Sequence, residues 1–156
     1  MSATFTTLED GKTLATIQRL LSHSIHDVWN MLTDNSKLNQ WFSELKVEDL
    51  RVGGTISFDM GDGSYEYMKI IAVQAPNLLH YTWAEDNVRF QLSEVEGGTN
   101  LIFCEEISGV TEHTPRDIAG WHVCLDVIQA ILDGAVIEDR KSIWSKWYEH
   151  YKAMLQ

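Results

Sequence analysis

The sequence predicts an α+β fold in which one antiparallel sheet is covered on its apolar side by helices. Three observations carry this. Residues 46–107 read as short β-type runs broken by glycine-containing turns, "RVGGT", "MGDGS" and "EGGT", the mark of a meander with tight connections. Within those runs Ile56, Phe58 and Met60 alternate with polar residues, as do Val88, Phe90 and Leu92, and then Leu101 and Phe103. Most strands therefore have one apolar and one wet face. Beyond them Ile118, Trp121, Leu125, Ile128 and Leu132 recur at three- and four-residue steps, which gathers them on one stripe of a long helix able to cover the sheet.

The remaining elements follow in chain order. Thr13 to Leu21 is rich in β-branched and apolar residues and reads as a first strand. Ser24 offers an N-cap with Asp27 three positions on, and Ile25, Val28, Trp29 and Leu32 follow at helical spacing, so a short helix should run to about Thr33. A second should begin near Asn35 or Ser36 and carry Leu38, Trp41 and Phe42 on one side. For the long helix Thr114 can cap, Pro115 suits the first turn and Gly134 can supply a left-handed exit. Gly120 costs that helix about 1 kcal/mol, a loss that close approach of a neighbouring element would offset. Residues 139–155 then place Ile143, Trp144, Trp147, Tyr151 and Met154 on one side of a further helix. An apolar stripe of this kind usually docks onto its own domain. The competing reading is a homodimer surface formed by Trp144, Trp147 and Tyr151.

At 156 residues a single domain spanning 1–156 is expected, able to bury roughly 70% of its unfolded surface without staples. Cys104 and Cys124 lie in apolar stretches without C-x-x-C spacing, which points to buried free thiols and a reducing, cytoplasmic setting. Residues 1–12 have no basic segment followed by an apolar run, and no run approaches the roughly 20 residues that span a bilayer. With 12 Lys+Arg against 23 Asp+Glu the net charge is -11, which repels phosphate backbones and anionic headgroups alike. Neither nucleic acid nor membrane is an expected partner.

Six fragments, "HDVWNMLTD", "LNQWF", "RVGGTISF", "APNLLHYTW", "EGGTNLIF" and "AGWHVCLD", fall in an order and spacing that resembles the proteins grouped with the activator of heat shock protein 90 ATPase. Those belong to the START-like (SRPBCC) helix-grip superfamily. The resemblance covers residues 13–134. It implies a curved antiparallel sheet of about six to seven strands wrapped around the long helix, with a cavity between them. It corresponds to the C-terminal half of the chaperone activator, and nothing in this sequence matches that protein's separate N-terminal chaperone-binding domain. Residues after 134 fit no motif of the family.

Candidate chemistry is sparse. Strand alternation from Leu101 and Phe103 turns Glu105 to the same side, where a carboxyl in an apolar cavity would hold its proton and could act as a general acid. The commoner outcome for such a residue is a solvated rim position or pairing with a base, so Glu105 is a weak catalytic candidate only. His23, His26, His80, His113, His122 and His150 show no H-E-x-x-H or Cys/His ligand spacing, and no metal or cofactor is expected. His122 falls beside the apolar stripe and reads as a boundary residue. "DMGDGS" lacks the ligands that complete a calcium loop and is read as a hairpin turn. Under the helix-grip topology Trp41, Phe58, Trp83, Phe90, Phe103 and Trp121 should converge between sheet and helix. With Leu125 they would line a pocket for a largely apolar molecule, anchored by Tyr81 or Glu105. If such a hollow faces Trp121, Trp121→Ala should cost toward the lower end of about 3–5 kcal/mol.

Binding of a small apolar molecule without chemistry is the leading functional expectation. A cyclase- or dehydratase-like enzyme is the alternative, distinguished by a second inward polar group near Glu105, since one isolated acid is a poor acid–base system. A third class is protein partnership, with a chaperone or a second copy.

Overall fold

The computed structural model describes residues 2–156. A short strand β1 (Thr4–Thr7) pairs antiparallel with β2 (Thr13–Leu21). Two helices follow, α1 (Ile25–Thr33) and α2 (Asn35–Trp41). The meander is β3 (Leu45–Val47), β4 (Thr55–Asp59), β5 (Tyr65–Gln74), β6 (Leu78–Trp83), β7 (Asp86–Val95) and β8 (Gly98–Ile107). The chain closes with α3 (Thr114–Leu132) and α4 (Arg140–Met154). All eight strands form one antiparallel sheet in the order β1-β2-β8-β7-β6-β5-β4-β3, so β8 returns to pair with β2 and the two short helices lie on a crossover. The strand absent from the sequence reading is β1. Its four residues, "TFTT", are largely exposed and carry no alternation to announce them.

Local chemistry explains the boundaries. Ser24 caps α1 by accepting from the Asp27 backbone N–H, and Asp34 caps α2 through Ser36. Between β7 and β8, Gly97 has φ +82, and a Cβ on Gly98 would lie 2.0 Å from the Leu21 carbonyl, so this turn requires both glycines. A register shift between Ile70 and Ala72 interrupts the β5–β6 ladder and, as bulges do, bends the sheet. Gly134 takes φ +76 behind α3, with Ala135 donating back to Ala130, the left-handed exit expected there.

Three expectations about the helices need correction. The residue before α3 is His113, without a side-chain cap bond; Thr114 lies inside the helix, its hydroxyl accepting from the Thr111 N–H. No element closes on Gly120, since a Cβ there meets nothing within 4 Å. His122 is only 1% exposed because α4 covers that side of α3. Its ring stacks on Trp147 at 3.8 Å and meets the Tyr151 hydroxyl at 2.7 Å through Nδ1.

α4 thus docks within its own chain. Tyr151 is fully buried, and its hydroxyl accepts from the Ala3 backbone N–H. This removes Tyr151 from any partner-facing stripe, while Trp144 and Trp147 are half-buried against the core. Arg19 on β2 completes the buried polar layer, donating to Asp126 at 2.9 Å and lying 3.3 Å from His122 Nε2. At the other end of α4, Arg140 donates to the Trp41 carbonyl and Trp144 donates to the Arg116 carbonyl. No described helix is long and apolar enough to cross a membrane. Cys104 and Cys124 are buried and free.

Candidate functional site

The space expected between sheet and long helix is filled by rings. Trp121 from α3 lies 4.9 Å from Trp83, 5.0 Å from Phe103, 5.7 Å from Phe42 and 5.9 Å from Phe90, centroid to centroid. Phe90 in turn meets Phe103 at 5.2 Å. These are edge and tilted contacts at the separations aromatic pairs favour, and they leave the centre of the grip occupied by its own side chains.

A hollow of about 550 Å³ lies instead on the flank of α3. Its floor is Gly120, Trp121 and Cys124. One wall is the corner after α2, at Trp41, Phe42 and Glu44; Trp83 and Asp117 close one end, and Arg140, Lys141 and Trp144 of α4 form the opposite wall. Gly120 therefore marks where α3 lacks a side chain beneath open space, rather than a close contact. Trp41, Trp83 and Trp121, anticipated from sequence, do line this groove. Phe58 packs behind them against Phe42 and Trp83. Tyr81, Phe90, Phe103, Glu105 and Leu125 are buried outside its lining. Burial pushes the Tyr81 phenol far above its ordinary range, so it stays neutral. Burial likewise pushes the Cys124 thiol up to about 12, against the opposing charge of Arg140, which leaves the groove's cysteine a poor nucleophile.

Beside the groove stands a group of carboxylates. Glu105 points inward as alternation requires, while its neighbour Glu106 faces the other way and pairs with Lys12 at 3.3 Å. Glu105 is neither at a rim nor paired with a base, contrary to expectation. It is fully buried and neither oxygen receives a hydrogen bond. The groups it faces are themselves acids, Asp117 on the first turn of α3 and Asp86 at the start of β7, with one oxygen of each of the three within 4.8 Å of the others. Burial first, then the contact with Asp117 and the charges of Asp117 and Asp86, push the Glu105 carboxyl up to about 11. At neutral pH it keeps its proton. Asp117 accepts the Trp83 indole N–H at 3.0 Å, and Asp86 accepts the Ser108 backbone N–H at 2.9 Å.

The sequence reading missed Asp117, Asp86, Phe42 and Gly120 as site residues. Asp117 was findable, since it lies one helical turn before Trp121 and so shares its face. Asp86 was not, because its approach to Glu105 depends on the β6–β7 hairpin lying beside β8.

An antiparallel sheet bent over a long helix, with the intervening crossover helices at one end, defines a helix-grip protein. Residues 22–133 match the family described as Activator of Hsp90 ATPase homolog 1-like protein, and the chain belongs to that family. Among solved structures, it is similar to a conserved protein of unknown function, EF2215 from Enterococcus faecalis, at 29% identity and TM-score 0.83, covering 99% of this chain and 92% of that one. CalU16 from Micromonospora echinospora has the same fold at 23% identity and TM-score 0.76, covering 99% and 96%. So does the AHSA1-like protein from Aeromonas hydrophila, at 22% identity and TM-score 0.61, covering 78% and 92%. The two relatives covered nearly end to end align through α4 as well, beyond the family match. No protein of curated function matches the chain by sequence.

Proposed function

We propose that this protein binds a small, largely apolar molecule in the groove on the flank of α3, as a cytoplasmic binding module. The observation that supports the reading is the groove itself. Its volume falls within the roughly 300–1,000 Å³ of small-molecule sites, and indole and phenyl walls beside charged groups such as Asp117 and Arg140 offer both apolar area and polar anchors. Gly120 gives the reading a clean test. Gly120→Leu projects a side chain into open space, and the change removes a helix penalty of about 0.8–1.0 kcal/mol. Binding should therefore fall while stability holds or rises. Native mass spectrometry of gently purified protein should show a retained small molecule, and an apolar fluorophore should bind the wild type and not the variant. Equal dye binding by both proteins, with no retained mass, would sink the proposal.

A second reading, acid–base catalysis, draws support from one observation: Asp117 lies at the groove's edge with protonated Glu105 behind it. Asp117 would take a proton from a groove-bound carbonyl compound while Glu105 restrains its charge. Solvent deuterium incorporation into a panel of carbonyl compounds, abolished by Asp117→Asn, tests this. Incorporation equal to a protein-free control counts against it.

A further inference from the structure

We propose that Asp86, Glu105 and Asp117 form a binding site for a hard, Ca²⁺-sized cation at the edge of the groove. The geometry suits an ion of that size. Oxygen ligands sit about 2.3–2.6 Å from Ca²⁺, so a set within about 5 Å of one another can close on it, whereas Mg²⁺ gives up its waters reluctantly and suits a buried carboxylate less well. The three carboxylate oxygens lie within 4.8 Å of one another. An all-oxygen donor set selects hard ions over Zn²⁺ or Cu²⁺.

More than clustering supports the site. Glu105 is fully buried, is aimed at the other two acids, and receives no hydrogen bond on either oxygen. Among the described residues, the charges that bear on it are acidic: α3 presents Asp117 and β7 presents Asp86, while β2 presents Ala15 as its cross-strand neighbour. Lys12 is on the far face with Glu106. A buried carboxylate so placed is costly unless it carries a proton or meets a cation. Asp86 and Asp117 are only half-buried, and Asp117 edges the groove, which gives an ion a route in.

Terbium luminescence reads the site directly, because Trp83 donates to Asp117 and can sensitise an ion held there. Wild-type protein stripped with chelator should show Trp-sensitised Tb³⁺ emission that Ca²⁺ displaces. Ca²⁺ at a hundredfold its Kd should raise Tm by about 5–10 °C. Glu105→Gln and Asp86→Asn should each weaken Tb³⁺ binding by about tenfold or more; Glu106→Gln, on the far face of β8, should leave it unchanged. Absence of sensitised emission from the wild type, or emission undiminished in both Glu105→Gln and Asp86→Asn, would overturn the proposal and leave a shared proton or scattered surface acids in its place. Tm in chelator checks that each variant is folded. If Glu105→Gln is not, Asp86→Asn decides alone.

Discussion

Replacing Glu105 by glutamine should change how stability depends on pH, and the size of the change follows from burial. In the unfolded chain this carboxyl loses its proton near its ordinary value of 4.5, whereas in the fold it holds the proton to about 11. Between those limits the folded state binds one proton more than the unfolded state. Stability is therefore fully present below pH 4.5 and declines as pH rises, by about 1.4 kcal/mol per unit. Glutamine cannot ionise, keeps the shape, and can donate its amide N–H to Asp117. From about pH 6 to about pH 9 the wild type should thus lose about 4 kcal/mol relative to Glu105→Gln. That is a large part of the roughly 5–15 kcal/mol that holds a domain together, and it corresponds to about 8–16 °C in Tm at this chain length.

The assay is urea or thermal denaturation of both proteins at several pH values, with chelator present so that no cation substitutes for the proton. Groups remote from Glu105 titrate alike in the two chains, so the difference curve isolates the buried carboxyl and its immediate cluster. The slope does not depend on the folded value being 11, only on its lying above the window. Parallel stability curves would refute the reasoning, for they would mean that Glu105 is already ionised in the fold and finds compensation from a donor or base.

Other perturbations test the packing. Trp121→Ala should cost toward the upper end of about 3–5 kcal/mol, not the lower end expected from sequence, because the indole is 2% exposed and ringed by Phe42, Trp83, Phe90 and Phe103; urea midpoints measure it. Tyr151→Phe strips the partner from the Ala3 N–H and from His122 Nδ1 and should cost about 1–3 kcal/mol, whereas an unchanged midpoint would mean water replaces the hydroxyl. Ending the chain before Arg140 exposes His122, on which Trp147 stacks, and should lower Tm clearly; an unchanged Tm would contradict docking of α4. His122 is held unprotonated, its pKa lowered from 6.5 to about 3 by burial and by Arg19. Below pH 6.5 the unfolded chain takes up a proton that the fold refuses, so the contribution of His122 should fall by about 1.4 kcal/mol per unit toward acid. His122→Gln should remove that contribution.

Much of the fold was legible because it depends on local periodicity. β2, the meander, α1, α2 and α3 all carry a period of two or of about 3.6 together with turn or cap residues, and each appears near its expected place. β1 lacked any such signal. The site was legible only in part. Inward direction of Glu105 follows from alternation, but its partners do not, since Asp86 and Asp117 reach it from other elements. His122 looked like a boundary residue because periodicity describes one helix against one surface. α3 is buried on two sides, by the sheet and by α4, and a second covering layer cannot be read from the helix's own stripe. Gly120 misled for a related reason. A glycine on a buried helix signals that nothing fits or that nothing is there, and only the neighbouring corner at Phe42 and the start of α4 decide between them.

The two buried, uncharged titrating groups also constrain each other's visibility. Glu105 makes the protein less stable as pH rises above 4.5, and His122 makes it less stable as pH falls below 6.5. Between those values the slopes are equal and opposite, one proton each. The wild type should show a plateau there, falling away on the acid side through His122 and on the alkaline side through Glu105. An undisturbed plateau would by itself look like the absence of buried titrating groups. The variants separate the two explanations, since Glu105→Gln should turn the plateau into a rise with pH and His122→Gln should turn it into a fall. Slopes of opposite sign from two substitutions, on a background with none, require both groups to be buried without their charges, which is the condition that the carboxylate cluster and the α3–α4 polar layer impose.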